Sequence, residues 1–168
     1  MLLLLQAVRR FDARMEPKQQ LVELAELHQT YICVDLASAP DGLLQITGSR
    51  HPVGAVNLFQ DANTTDAAGV APWLLPVPAS MTKKWIANSY KLAAATPSVT
   101  WIFSDLNANN LVKGLMRRFD VRLNDGTELL LRYFDPRILD ELQLCLKPQF
   151  AAAFFSVATN WAYLNRDF

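Results

Sequence analysis

The apolar positions of this chain recur with two periods, and the two alternate along its length. From Pro17 to His28, Leu21, Leu24, Ala25 and His28 share one face while Lys18, Gln19, Glu23 and Glu26 lie elsewhere, which predicts an amphipathic helix. "TYICVDL" follows, rich in β-formers and ending near Asp35, and reads as a buried strand. "ASAPDGLLQITGSRHPVG" is broken by Pro and Gly and predicts loop around a short strand or helical turn; "AVNLF" predicts a short strand. "QDANTTDAAG" is a polar, Gly-bounded loop suited to mobility. In "VAPWLLPVP" the prolines 72, 76 and 78 argue against a central strand and for extended or edge structure.

The second half repeats the alternation. A helix is expected from Ser80, as N-cap, to Ala95, with Trp85, Ile86 and Tyr90 inward, followed by the strand "SVTWIFS". A helix over Ala108–Arg118 places Leu111, Val112, Leu115, Met116 and Phe119 together, and Arg117 and Arg118 suit its negative C-terminal end. "FDVRLNDGTELLLRYF" reads as two strands joined at Asn124-Asp125-Gly126, residues that tolerate the positive φ of a hairpin turn. "DPRILDELQLCL" predicts a helix with Asp135 at N-cap, Pro136 at N1 and an inner face of Ile138, Leu139, Leu142, Cys145 and Leu146. Pro148 opens a short helix through "QFAAAFF", and "VATNWAY" predicts a last strand. The expected fold class is α+β (mixed α/β): a single sheet with a hairpin in the C-terminal half, packed by several amphipathic helices.

Composition narrows the function. At 168 residues, 51% apolar and 19% charged, the chain suits one ordered domain spanning 1–168. Its 16 basic and 16 acidic residues cancel, so it lacks the basic excess of a nucleic-acid binder. "MLLLLQAVRR" has no basic residue ahead of its short apolar run, and reads as the first turns of an amphipathic helix or an ordered arm rather than a targeting or membrane-spanning segment. A cytoplasmic location is the expectation. Cys33 and Cys145 sit in apolar runs without a second cysteine nearby and read as reduced core thiols.

Candidate chemistry is sparse. His28 reads as a packed boundary histidine, and His51 in "SRHPVG" has no cysteine or carboxylate at metal-ligand spacing, so neither a metal nor a cofactor is expected. Ser104 in "IFSD" reads as a capping residue before a nucleophile. Asp35 and Asp135 would make an acid/base pair only if the fold brought them together. "LLLRYFDPRILDEL" is denser. Alternation puts Leu129, Leu131 and Tyr133 on one face of the incoming strand and Leu130, Arg132 and Phe134 on the other, so Arg132 is expected to be partly buried and to need a carboxylate or carbonyl partner. Arg132, Asp135 and Arg137 are open to three readings: a catalytic constellation, an anion site, or a clasp holding the strand-to-helix corner. The clasp is preferred.

The order of these segments resembles one bacterial family over about Leu21 to Trp161. Its features are "YICVD" after a helix, "NLFQD" before "GVAPWLLPV", the block "WIFSDLNANNLVKGLMRRFDVRLNDGTELLLRYFDPRIL", and a closing "NWAY". The family is the type VI secretion effector adaptors, or effector chaperones, long catalogued only as a domain of unknown function. The resemblance implies a non-enzymatic role, in which the protein binds a toxic effector, often by its N-terminal region, and helps load it onto the secretion spike, the valine-glycine repeat protein G. It carries Asp35, Pro72, Trp73, Arg132, Tyr133, Asp135, Pro136 and Arg137 over as signature residues, structural or partner-binding. Many members continue into a helical C-terminal region thought to help choose cargo, whereas this sequence stops at Phe168. The readings that compete with an adaptor are an immunity-type inhibitor of a toxin's catalytic domain and a hydrolase using Asp35, Asp135 and Arg132.

Overall fold

The fold is organised around two central strands that are buried on both faces. In the computed structural model, which describes residues 7–12, 17–59, 70–123 and 125–165, a six-stranded sheet runs in the order β1-β8-β5-β2-β4-β3. Its strands are β1 (Ala7–Asp12), β2 (Gln29–Asp35), β3 (Val56–Asn57), β4 (Pro72–Pro76), β5 (Val99–Ser104) and β8 (Asn160–Asn165). All neighbours are antiparallel except β1 and β8. A separate two-stranded sheet pairs β6 (Asp120–Arg122) with β7 (Glu128–Leu130); the class is α+β as expected, with the hairpin standing as its own small sheet beside the main one. β5 is buried throughout and β2 is buried after Gln29, which is why both read as continuous apolar runs: helices cover each face.

On one face α1 (Pro17–Leu27), α2 (Gly42–Thr47) and α3 (Thr82–Ala95) pack Leu21, Ile46 and Ile86 against Ile32, Val34 and Trp101. On the other, α4 (Ala108–Met116), α5 (Pro136–Cys145) and α6 (Pro148–Phe155) enclose an aromatic-rich core with Leu115, Leu139, Phe155 and Trp161. Arg118 ties this second layer. Its guanidinium donates to the carbonyls of Gly114, Ala153 and Phe154 and so satisfies the C-terminal ends of α4 and α6 together. The segment just after α6 packs closely on α4 there, because a Cβ on Gly114 would overlap the Val157 side chain.

Several expectations are corrected. Ala7–Asp12, expected as part of a first helix or an ordered arm, is a strand paired in parallel with Asn160–Asn165. β4 lies inside the sheet despite its prolines. The Pro72 carbonyl accepts from Leu58 N, so the missing N–H of Pro72 faces the two-residue β3 and costs nothing on the β2 side. α3 begins at Thr82 after a 3-10 turn over Ala79–Met81, so Ser80 is not its cap. α4 is capped by Asn107, which accepts from Asn110 N at 3.0 Å. Cys33 is a core thiol but Cys145 is exposed, as is Ile138, because α5 turns Leu139 inward. The polar loop 60–69, residues 1–6 and Asn124 lie outside the described residues.

The run before the Arg132 corner also differs. β7 stops at Leu130 and is exposed along its length; the chain returns to the core in the turn from Tyr133 to Pro136, while Arg132 stays exposed. An apolar run has the same local pattern whether a second layer covers it or not.

Candidate functional site

Five residues from three distant segments meet at the C-terminal end of β2. Asp35 ends that strand with its carboxylate fully buried. Strand alternation sends it to the same face as Cys33, toward α4 and α5. One carboxylate oxygen accepts from Ala37 N at 3.1 Å, the other from Ser38 Oγ at 2.8 Å, and Asp35 thereby builds the turn that leaves the sheet. Arg132 Nη2 donates to the second oxygen at 3.1 Å. Pro72 lies across from Asp35 in the β2–β4 register. Trp73 is its neighbour in β4 but packs with the α1–α3 layer, so it does not face the corner.

The corner itself is built from alternating anchors and charges. Tyr133 is fully buried, donates its hydroxyl to Leu115 O at 2.9 Å and stacks on Phe119 at 5.1 Å between ring centroids. Phe134 is buried beside it and carries the Arg132 guanidinium 5.5 Å from its ring centroid. Asp135 caps α5, accepting from Arg137 N at 2.9 Å, and holds the Arg137 side chain through Nε at 3.0 Å and Nη2 at 2.7 Å. Pro136 occupies the first turn, where no N–H is needed. The hydrogen bond that Arg137 donates to Asp135, the charge of that carboxylate and a further contribution from Asp35 raise the Arg137 guanidinium above its ordinary pKa. The buried thiol of Cys33 is pushed far up, first by burial and then by the charge of Asp35.

Asp35, Arg132, Asp135 and Arg137 therefore form one charge cluster of two buried carboxylates and two half-exposed guanidiniums. This is the clasp geometry: Asp35 joins the corner to the sheet, and Asp135 fixes the helix that leaves it. Ser104 is not part of it. It pairs with Gln29 at the opposite end of β2, roughly 20 Å from Asp35 at strand rise. Its hydroxyl donates to Val157 O and accepts from Leu106 N, both at capping distance. His28 stands at that same far end, with Nδ1 3.0 Å from Asp105 Oδ1. It borders an open cleft of about 490 Å³, lined also by Gln29, Tyr31, Pro76 and Thr82. His51 is exposed in its loop. Among the described residues no group of three His, Cys, Asp or Glu side chains is placed to hold a metal ion.

A family model described as "Domain of unknown function (DUF4123)" matches residues 30–152, which takes in β2, β4, the hairpin and the whole corner. The chain belongs to the DUF4123 family. No curated protein and no solved structure matches it. The eight residues that the resemblance singles out all lie within the matched segment of this DUF4123 protein, and seven of them gather at the β2 end and the corner, with Trp73 on the reverse face.

The hairpin is where the sequence predicts it, but its exposure was not foreseen. The β6–β7 pair sets Phe119, Val121, Leu123, Thr127, Leu129 and Leu131 on one face, following the register of Val121 opposite Leu129. Phe119 is 5% exposed, yet Leu123 is 43% and Leu129 48% exposed. The core thus runs outward along the hairpin and ends in uncovered leucines.

Proposed function

We propose that this DUF4123 protein is a non-enzymatic adaptor that binds a toxic type VI secretion effector, through the effector's N-terminal region, and helps load it onto the spike protein from the bacterial cytoplasm. The observation that carries the reading is the apolar hairpin face ending in Leu123 and Leu129, a surface suited to a partner segment. The corner supports it. Its aromatic side chains are spent on packing and its carboxylates on the clasp, so its charges serve to hold the hairpin's base in place. No nucleic acid is part of the proposal. Among the described residues no helix is long and apolar enough to cross a membrane.

The test is affinity capture of the tagged protein from its source bacterium, identification of the bound chains by mass spectrometry, and reconstitution with separate effector fragments. A 1:1 complex with the N-terminal fragment, lost in Leu123→Asp and Leu129→Asp while thermal unfolding is unchanged, is the expected result. Binding confined to the toxin's catalytic domain, with loss of toxin activity, would instead establish the immunity-type inhibitor. Absence of any effector or spike chain would end the adaptor reading.

A further inference from the structure

The hairpin has an edge as well as a face, and the edge is patterned. Leu131 N donates to Phe119 O at 2.7 Å and Leu123 N to Thr127 O at 2.9 Å. These bonds fix the odd-numbered residues of β6 as the ones turned toward β7, so the N–H and C=O groups of Asp120 and Arg122 point outward. Among the described residues nothing pairs with them, and both residues are exposed. Two-stranded sheets are marginal alone, and an open edge is a template for another strand.

We propose that β6 pairs antiparallel with β6 of a second copy of this chain, about a two-fold axis at Val121. That register sets Val121 against Val121 and Asp120 against Arg122 of the other copy, twice over by symmetry. The outward groups of residues 120 and 122 then form the hydrogen-bonded pairs of a continuous four-stranded sheet. Arg122 already lies opposite Glu128 within its own hairpin. In the dimer it stands between two carboxylates, Glu128 of its own chain and Asp120 of the other. Opposite charges directly across a strand pair stabilise it, and like charges destabilise it. The other edge does not have this property: pairing β7 about Leu129 would set Glu128 against Leu130 and leave the carboxylate unmatched. The charge order along β6 selects both the partner and the register, and the inference stands whether or not the protein is an adaptor.

The test is sedimentation of the full chain up to millimolar concentration, with Asp120→Arg, Arg122→Asp and the double exchange. The wild type is expected to pass from 18.9 kDa to twice that mass. Each single reversal sets like charges opposite each other at both ends of the pairing and is expected to hold the chain as a monomer. The double exchange restores the alternation and is expected to recover the dimer. It carries the same change beside Glu128 as Arg122→Asp, so recovery isolates the contact between chains. The amides of Asp120 and Arg122 should gain hydrogen-exchange protection as the dimer forms. A wild type that stays monomeric overturns the proposal, as does a dimer indifferent to the single reversals or a double exchange that fails to reassociate.

Discussion

Arg132 Nη2 lies 3.1 Å from Asp35 Oδ2 across 97 positions of sequence, and the two residues are unequal partners: the Asp35 side chain is fully buried, whereas the Arg132 side chain is 46% exposed. Removing the arginine leaves a carboxylate still served by Ala37 N and Ser38 Oγ. Removing the carboxylate strips the turn of its acceptor and leaves a guanidinium that water can reach. Arg132→Ala is therefore expected to cost about 1 kcal/mol and Asp35→Ala about 3 kcal/mol. Urea unfolding of both variants checks the order; equal losses would refute the unequal assignment.

Arg118 serves three carbonyls on two helices with one planar group. A lysine ammonium at the same stem cannot reach all of them. Arg118→Lys should cost about 1–2 kcal/mol. The loss should appear in hydrogen exchange as faster opening at the C-terminal end of α6, with the α1–α3 layer unchanged.

The two thiols differ in environment rather than in sequence context. Cys33 is buried and its ionisation is suppressed by burial and by the neighbouring Asp35 charge, whereas Cys145 is exposed on α5. A disulfide reagent at neutral pH should titrate one thiol in the native protein and two after denaturation. Cys145→Ser should abolish the native reaction.

The hydrogen bond with His28 lowers the Asp105 carboxyl below the ordinary carboxylate pKa, helped by the His28 charge and by Thr159. A folded-state pKa depressed in this way contributes stability above the unfolded value, and the contribution is lost as pH falls through the folded one. His28→Ala should return the Asp105 titration toward the ordinary value of about 3.9, read from its carboxyl carbon by NMR. The stability difference between this variant and wild type should shrink toward acid pH.

Legibility in the sequence followed the range of the interaction. Period, caps and turn residues act within a few positions, so α1, β2, β5, the Asp135 cap and the Asp125-Gly126 turn were readable. A carboxylate partner for Arg132 was readable too, and it has one, although its side chain is 46% exposed rather than partly buried as the alternation suggested. The identity of that partner as Asp35 was not readable, since no local pattern links residues so far apart; the resemblance grouped them only as signatures. The failures share a cause. Leu129 and Leu130 on the hairpin, and Ile138 and Cys145 on α5, are apolar positions whose covering layer is absent on that side, and covering is a property of the tertiary arrangement. The prolines of β4 misled for a related reason: what matters is which side of the strand lacks a donor, and that depends on its neighbours.

The parallel pairing of β1 with β8 has a consequence for how the molecule is made. β8 lies between β1 and β5, so on the emerging chain the first strand has no neighbour until the last of the six has been synthesised. The antiparallel β2–β5 and β2–β4 pairs can form much earlier, over shorter loops. Assembly should therefore begin at the middle of the sheet, with β8 entering as the closing wedge. Through Trp161, whose Nε1 donates to Phe155 O at 3.2 Å, its arrival also docks α6 onto the second layer. Until that moment the nascent protein holds an open β5 edge, the segment a ribosome-associated chaperone would have most reason to shield.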